Sequence, residues 1–182
     1  MISVRRPSTE DLVRYREERL ETEPTCLPAD QPPRGFHREV YRAVVGEGPD
    51  AFARARLGID QWAAQIGSGF EIVPVDAPIV EGAVVAFSTQ QMGLWIVAAC
   101  RIETVVDEPN RYGFVYATLP DHPECGYESF MVSEADGVVT YELEPVSKPG
   151  VPIVWLGAPV TRLLQRNAAH GYVAAMTRFV AG

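Results

Sequence analysis

Residues 113–130 read GFVYATLPDHPECGYESF, and they set the character of the whole chain. Two runs rich in β-branched and aromatic residues flank a loop holding Pro120, Asp121, His122, Pro123 and Glu124. Such runs suit pleated, half-buried strands, and the prolines and acids between them suit a tight, ordered connection.

Downstream, Asp136-Gly137 is a dipeptide made for a two-residue hairpin loop. That turn pairs Ser133 with Thr140, Val132 with Tyr141, Met131 with Glu142, Phe130 with Leu143 and Ser129 with Glu144. One face of the predicted hairpin is then apolar and the other mostly polar, so turn and alternation agree. Glu128 has the parity of Phe130 and Val132 and is therefore expected on the apolar side.

Outward from this hairpin the chain is punctuated in the same style. Short apolar runs at 70–75, 83–88, 94–106, 112–119, 127–133 and 138–146, separated by turn residues, predict a meandering antiparallel sheet. Upstream, residues 38–45 predict a first strand. A helix over 50–64 follows, with Pro49 at its start, Phe52, Leu57 and Trp62 on one side, and Gly67-Ser68-Gly69 as its stop. Ser8 and Asp11 form a capping signal for a mostly solvated helix to Glu21, with Leu12, Tyr15 and Leu20 to bury. Residues 23–35 (EPTCLPADQPPRG) hold four prolines and predict an extended arm. We divide the chain into a helix and arm over 1–35 and a main domain over 36–182.

The chain closes on PVTRLLQRNAAHGYVAAMTRFV, residues 159–180, predicted as one long amphipathic helix. Val160, Leu164, Ala168, Gly171, Tyr172, Ala175 and Phe179 gather on one side of it. The small residues in its middle either bring it close to the sheet or leave a space beneath it.

Bulk properties narrow the function classes. At 182 residues and 47% hydrophobic the chain suits one globular domain. A net charge of −8 argues against nucleic acid and against an anionic membrane surface. Cys26, Cys100 and Cys125 form no CxxC, and the start MISVRRPSTEDL lacks the apolar stretch of a secretory signal, so a reduced, cytoplasmic protein is expected. No run approaches the ~18 apolar residues of a membrane span. There is no HExxH, P-loop, GxGxxG or GxSxG, so neither metal, cofactor nor activated serine is expected.

The order strand, helix, meander and long terminal helix is that of the helix-grip fold, an α+β architecture in which a curved antiparallel sheet wraps around a long C-terminal helix. The segments 45–48 (VGEG), 113–130 and 147–149 (SKP) resemble a family of bacteria and plants known as domain of unknown function nineteen-ninety. Tyr116, Thr118, Leu119, Pro120, His122, Pro123, Glu124, Gly126, Glu128 and Phe130 match its central pattern, and the order of motifs holds from about Phe36 to Tyr172. Ala117 and Asp121 stand where that pattern has glycine, Tyr127 where it has glutamate, and Lys148 where it has arginine. Pro24-Thr25-Cys26 stands in place of a tyrosine-proline segment. The chain reads as a divergent member.

Within a cavity of the kind that this architecture implies, Glu128 is the leading acid or base, because desolvation raises a carboxyl pKa toward the range useful for proton transfer. His122, held between prolines, is its candidate partner. Tyr116 and Thr118 share one strand face and can offer hydroxyls, and Tyr141 lies on the same apolar side. Gln165 and Asn167 fall at the edges of the helix's inward arc and could orient a carbonyl. Arg162 reads as solvated, although its match to a family arginine makes an anion contact its alternative role. Each candidate also has a plain structural reading: a capped turn for His122, a paired strand-end acid for Glu128, a buried core hydroxyl for the tyrosines. The expected ligand is a largely apolar small molecule. Acid–base chemistry of the cyclase, isomerase or dehydratase type, in natural-product metabolism, is one reading; a non-catalytic carrier or sensor is another. A third is a cavity-free interaction module, with monomer and homodimer both open.

Overall fold

The chain was analysed in a computed structural model, which describes residues 1–29, 31–150 and 158–182, with side chains described outside 151–165. Its elements are β1 (Ile2–Ser3), α1 (Thr9–Glu17), β2 (His37–Arg38), β3 (Tyr41–Glu47), α2 (Gly48–Asp60), α3 (Ala63–Ile66) and β4 (Glu71–Val73). After these come β5 (Val84–Gln91), β6 (Leu94–Glu108), β7 (Arg111–Thr118), β8 (Glu124–Ala135), β9 (Val138–Pro149) and α4 (Ala158–Ala181).

The nine strands among the described residues form one antiparallel sheet in the order β2-β9-β8-β7-β6-β5-β4, with β3 also on β9 and β1 on β6. The β8–β9 register is the one read from the turn, with Val132 opposite Tyr141 and Phe130 opposite Leu143. Asp136 and Gly137 take φ of 52° and 80°, as a type I′ loop requires. Neighbouring backbones come very close at two glycines: a Cβ on Gly113 of β7 would lie 2.0 Å from the Phe130 carbonyl oxygen, and one on Gly126 of β8 2.0 Å from that of Val146. Only glycine allows backbones so near.

The inner face holds the main core. Phe87, Cys100, Ile102, Phe114, Tyr116, Phe130, Val132, Tyr141 and Leu143 of the sheet join Ala51, Phe52, Ala55 and Ile59 of α2 and Ala169, Tyr172, Met176 and Val180 of α4. The long terminal helix thus covers the inner face, and the molecule has the helix-grip fold. Leu164 lies outside the described side chains, and Phe179 is half-buried.

The outer face is covered as well. Leu12 and Tyr15 of α1 pack on Val84, Ala86, Val97, Ala99 and Leu119, while Cys26 and Phe36 of the arm pack on Ala117, Tyr127 and Val146. Being buried on both sides, β5 and β6 read as near-continuous apolar runs rather than alternating ones. The Ser8–Asp11 capping box is present, but Leu20, beyond the helix end, is 38% exposed instead of buried.

The helix expected over 50–64 breaks in two. Trp62 adopts φ 54° between α2 and α3. Its ring is 1% exposed, its Nε1 donates to the Ala77 carbonyl at 2.9 Å, and it lies 4.9 Å from the Phe114 ring. Burying this large side chain outweighs helix continuity. Leu57, expected beside Phe52, is 46% exposed, because the inward stripe runs through Phe52, Ala55 and Ile59. The small residues of α4 serve two ends: a Cβ on Gly67 would meet Ala175 Cβ at 2.8 Å, so α3 and α4 are in close contact there, whereas Ala168 borders an open space. No described helix is long and apolar enough to cross a membrane.

Candidate functional site

A cavity of about 380 Å³ lies between the inner face of the sheet and α4, walled by Phe70, Phe87, Tyr116, Tyr172, Ala168 and Ala169, with His122, Glu124 and Glu128 on its polar side. Small-molecule sites fall between roughly 300 and 1,000 Å³. A larger depression of about 580 Å³ on the outer surface is lined by Arg5, Arg6, Ser8, Asp11, Arg14 and Glu18. Its polar groups are exposed and lie in the capping box and surface ion pairs, so the candidate chemistry belongs to the inner cavity.

Parity brings Glu128 to that cavity, and register gives it a partner. Glu128 is directly opposite Tyr116 on β7 and Pro145 on β9, and the Tyr116 hydroxyl donates to Glu128 Oε2 at 2.6 Å. Glu128 is half-buried, in the wall of the cavity. Burial pushes its carboxyl up to about 7; the Tyr116 hydrogen bond works against this and the charge of Glu124 adds to it. Burial, followed by the charge of Glu128, drives the Tyr116 hydroxyl well above its usual value. The Cys100 thiol, fully buried near Glu128, is raised for the same two reasons.

His122 reaches the cavity from the β7–β8 loop. Its Nδ1 lies 2.9 Å from the Glu124 carbonyl and 3.0 Å from the Glu124 N–H, so either neutral tautomer is tied to the same residue. Its ring meets Phe87 edge-on at 6.4 Å. Burial lowers its pKa to about 4; the Glu124 backbone opposes this, and the Met1 α-amino charge contributes to it. At neutral pH the cavity therefore pairs an uncharged imidazole with a carboxyl poised to gain or lose its proton.

The other candidates are placed differently. Thr118 turns away from the space: its Oγ1 accepts from the Gly126 N–H at 3.0 Å, donates to the Gly126 carbonyl at 3.2 Å and meets the Thr25 hydroxyl, which ties β7, β8 and the arm together. Tyr141 is fully buried in the core, and its hydroxyl has no hydrogen-bond partner among the described residues; it does not line the cavity. Asn167 is exposed on α4, since the inward arc is centred on Ala169, Tyr172 and Met176. Arg162 and Gln165 lie outside the described side chains. Arg101, a conceivable counter-ion for Glu128, instead donates to the Leu20 and Thr22 carbonyls, at 2.8 Å each.

Among the wall residues to which sequence reasoning gave no role are Glu124, Phe70, Phe87 and Tyr172. Glu124 shares the parity of Glu128 and accepts a hydrogen bond from Ser147 Oγ at 2.7 Å. Phe70, Phe87 and Tyr172 form a run of rings with centroids 5.3 and 6.1 Å apart. The strand parity that flagged Glu128 could have found Glu124; the aromatic wall joins elements far apart in sequence and left no local signal.

Comparison with known proteins agrees with the fold. A UPF0548 protein of Dictyostelium discoideum is 27% identical, over 92% of this chain and 90% of its own length. One from Deinococcus radiodurans is 29% identical over 76% of this chain and 75% of its own. Among solved structures, a hypothetical protein of Helicobacter pylori superposes with a TM-score of 0.59 at 11% identity, covering 85% of this chain and 98% of that one. The Zhui aromatase/cyclase of Streptomyces sp. R1128 gives 0.52 at 14%, covering 80% and 94%. At such identities the likeness shows the fold alone. The sequence profile of Domain of unknown function (DUF1990) matches residues 16–175, and with that match over most of its length the chain belongs to this family.

Proposed function

We propose that the protein holds a largely apolar small molecule between sheet and α4 and moves a proton on it, as in cyclisation, isomerisation or dehydration. The observation that carries this reading is the Glu128–Tyr116 pair, 2.6 Å apart within the cavity wall, whose carboxyl has its midpoint near 7. A group with that midpoint is partly protonated and partly ionised at neutral pH and can act as base in one step and acid in the next. Tyr116, held protonated, supplies a donor to an oxygen that gains charge. His122, neutral and anchored through Nδ1, orients the ligand or relays the proton through its other nitrogen. The aromatase/cyclase and the human STARD10 structure that share the fold make a small ligand the natural occupant by analogy. The cysteine usage suits a cytoplasmic setting.

The test uses 2-tetralone, an apolar bicyclic ketone with exchangeable α-hydrogens, followed by NMR in deuterated buffer at neutral pH. The wild type is expected to exchange them at least about a hundredfold faster than Glu128→Gln, the lower end of what a positioned general base supplies. Saturable binding with equal exchange rates would overturn the catalytic reading and leave that of a carrier or sensor, which an anchored, neutral His122 also suits.

A further inference from the structure

The loop that delivers His122 turns on a residue poorly suited to it. Leu119, Pro120, Asp121 and His122 form a β-turn closed by the His122 N–H donating to the Leu119 carbonyl at 3.3 Å, and its third residue, Asp121, has φ 67°. Proline fixes negative φ at the second position, so positive φ at the third makes this a type II turn. That geometry favours glycine there, and a residue with a Cβ is strained in it. Type II differs from type I in the direction of the middle peptide, here the Pro120 carbonyl.

That carbonyl is gripped from the other side of the sheet. Arg19, just past the end of α1, donates from Nε to the Pro120 oxygen at 3.1 Å and from Nη2 to Asp121 Oδ2 at 2.7 Å. Its Nη1 donates to the Tyr15 carbonyl at 2.9 Å, and the guanidinium lies 3.5 Å from the centroid of the Tyr15 ring. Glu18 is a further, looser partner at 3.4 Å. Only 8% of Arg19 is exposed. A planar fork with fixed donor directions, clamped on both sides, suits this role in a way that a flexible ammonium does not.

We propose that Arg19 is a positioning residue of the cavity: from the outer face it holds the Leu119–His122 turn in its type II form and so fixes the place of the His122 ring. The Arg19–Asp121 pair accomplishes what a glycine at 121 would do unaided. The relevance to chemistry rests on the functional reading above; the geometry does not.

An NMR pH titration of the His122 ring tests this without any ligand, with His122→Gln used to separate its signals from those of His37 and His170. In the wild type the ring is expected to titrate at about 4. In Arg19→Ala the turn relaxes, the ring leaves its seat against Phe87, and its midpoint moves up toward the ordinary 6.5. Arg19→Lys behaves like Arg19→Ala, and Arg19→Ala/Asp121→Gly returns the midpoint toward 4. A merely structural arginine would lower the melting temperature with no movement of His122 and no rescue by glycine, and either result overturns the proposal. Should Arg19→Ala fail to fold, Asp121→Ala and Asp121→Gly replace it: the first is expected to shift the ring and the second to leave it, and identical titrations overturn the proposal. Failure of the tetralone experiment leaves all these titrations unchanged, so the two ideas fall separately.

Discussion

Both faces of this sheet carry apolar clusters, yet they treat their polar groups in opposite ways. On the outer face Arg19 has every reach of its fork on an acceptor and Arg101 ends on two carbonyls. On the inner face the Glu128 carboxyl accepts from the Tyr116 phenol and is raised by burial, and burial strips His122 of its charge. Satisfied polar groups anchor, whereas groups whose charged form is disfavoured remain ready to exchange protons. The fold separates its anchoring polar groups from the proposed acid–base groups by the thickness of one sheet.

The largest expected effect is common to both faces and tests whether each is a true core. Phe130→Ala, inside, is expected to cost about 3–5 kcal/mol and Leu12→Ala, outside, about 2–5 kcal/mol in a urea melt, since both side chains are wholly buried. A negligible loss at Leu12 would show that α1 decorates the sheet rather than completing it.

The next effect contrasts the two titrating groups of the inner face. The folded pKa of Glu128 is raised from 4.5 to about 7, so the stability it contributes is full below 4.5 and is lost as pH rises through 7, by about 2–3 kcal/mol after allowance for its partial exposure. The pKa of His122 is lowered from 6.5 to about 4, so its contribution is full above 6.5 and is lost as pH falls through 4. Between these limits the slopes oppose one another. Urea melts at pH 5 and pH 8 should therefore show Glu128→Gln gaining on the wild type at the higher pH, and His122→Gln should unmask the falling slope. If Glu128→Gln instead loses about 3–5 kcal/mol throughout, the carboxylate is a paired structural group, not an acid or base.

Smaller still, Thr118→Val is expected to cost about 1–3 kcal/mol by orphaning the Gly126 backbone groups, with little change in tetralone binding. Asn167→Ala should lie within about 0.5 kcal/mol of the wild type and bind tetralone equally. A strong binding defect at either position would return it to the cavity wall.

What could be read in advance follows the same division. Asp136-Gly137 is a local signal with a steric cause, and it delivered the β8–β9 register and, through parity, the orientation of Glu128. Parity did not bring the Thr118 hydroxyl to the cavity, because a hydroxyl at a strand end can satisfy the neighbouring strand's backbone, a competition that period two ignores. It failed to set Tyr141 in the cavity because sharing a face is not sharing a place on it. The break at Trp62, the burial of Leu12 beneath a mostly charged helix and the Phe70–Phe87–Tyr172 wall all depend on partners distant in sequence, which local pattern does not encode.

Cys100 offers a clock for the molecule's breathing. Its sulfur is sealed beneath the Glu128 side of the cavity, while Cys26 and Cys125 are only half-buried. An aromatic disulfide reagent should modify those two promptly and Cys100 only during openings of the sheet. The slow phase would then count how often the interior admits a visitor, and any occupant that braces the sheet would lengthen the wait.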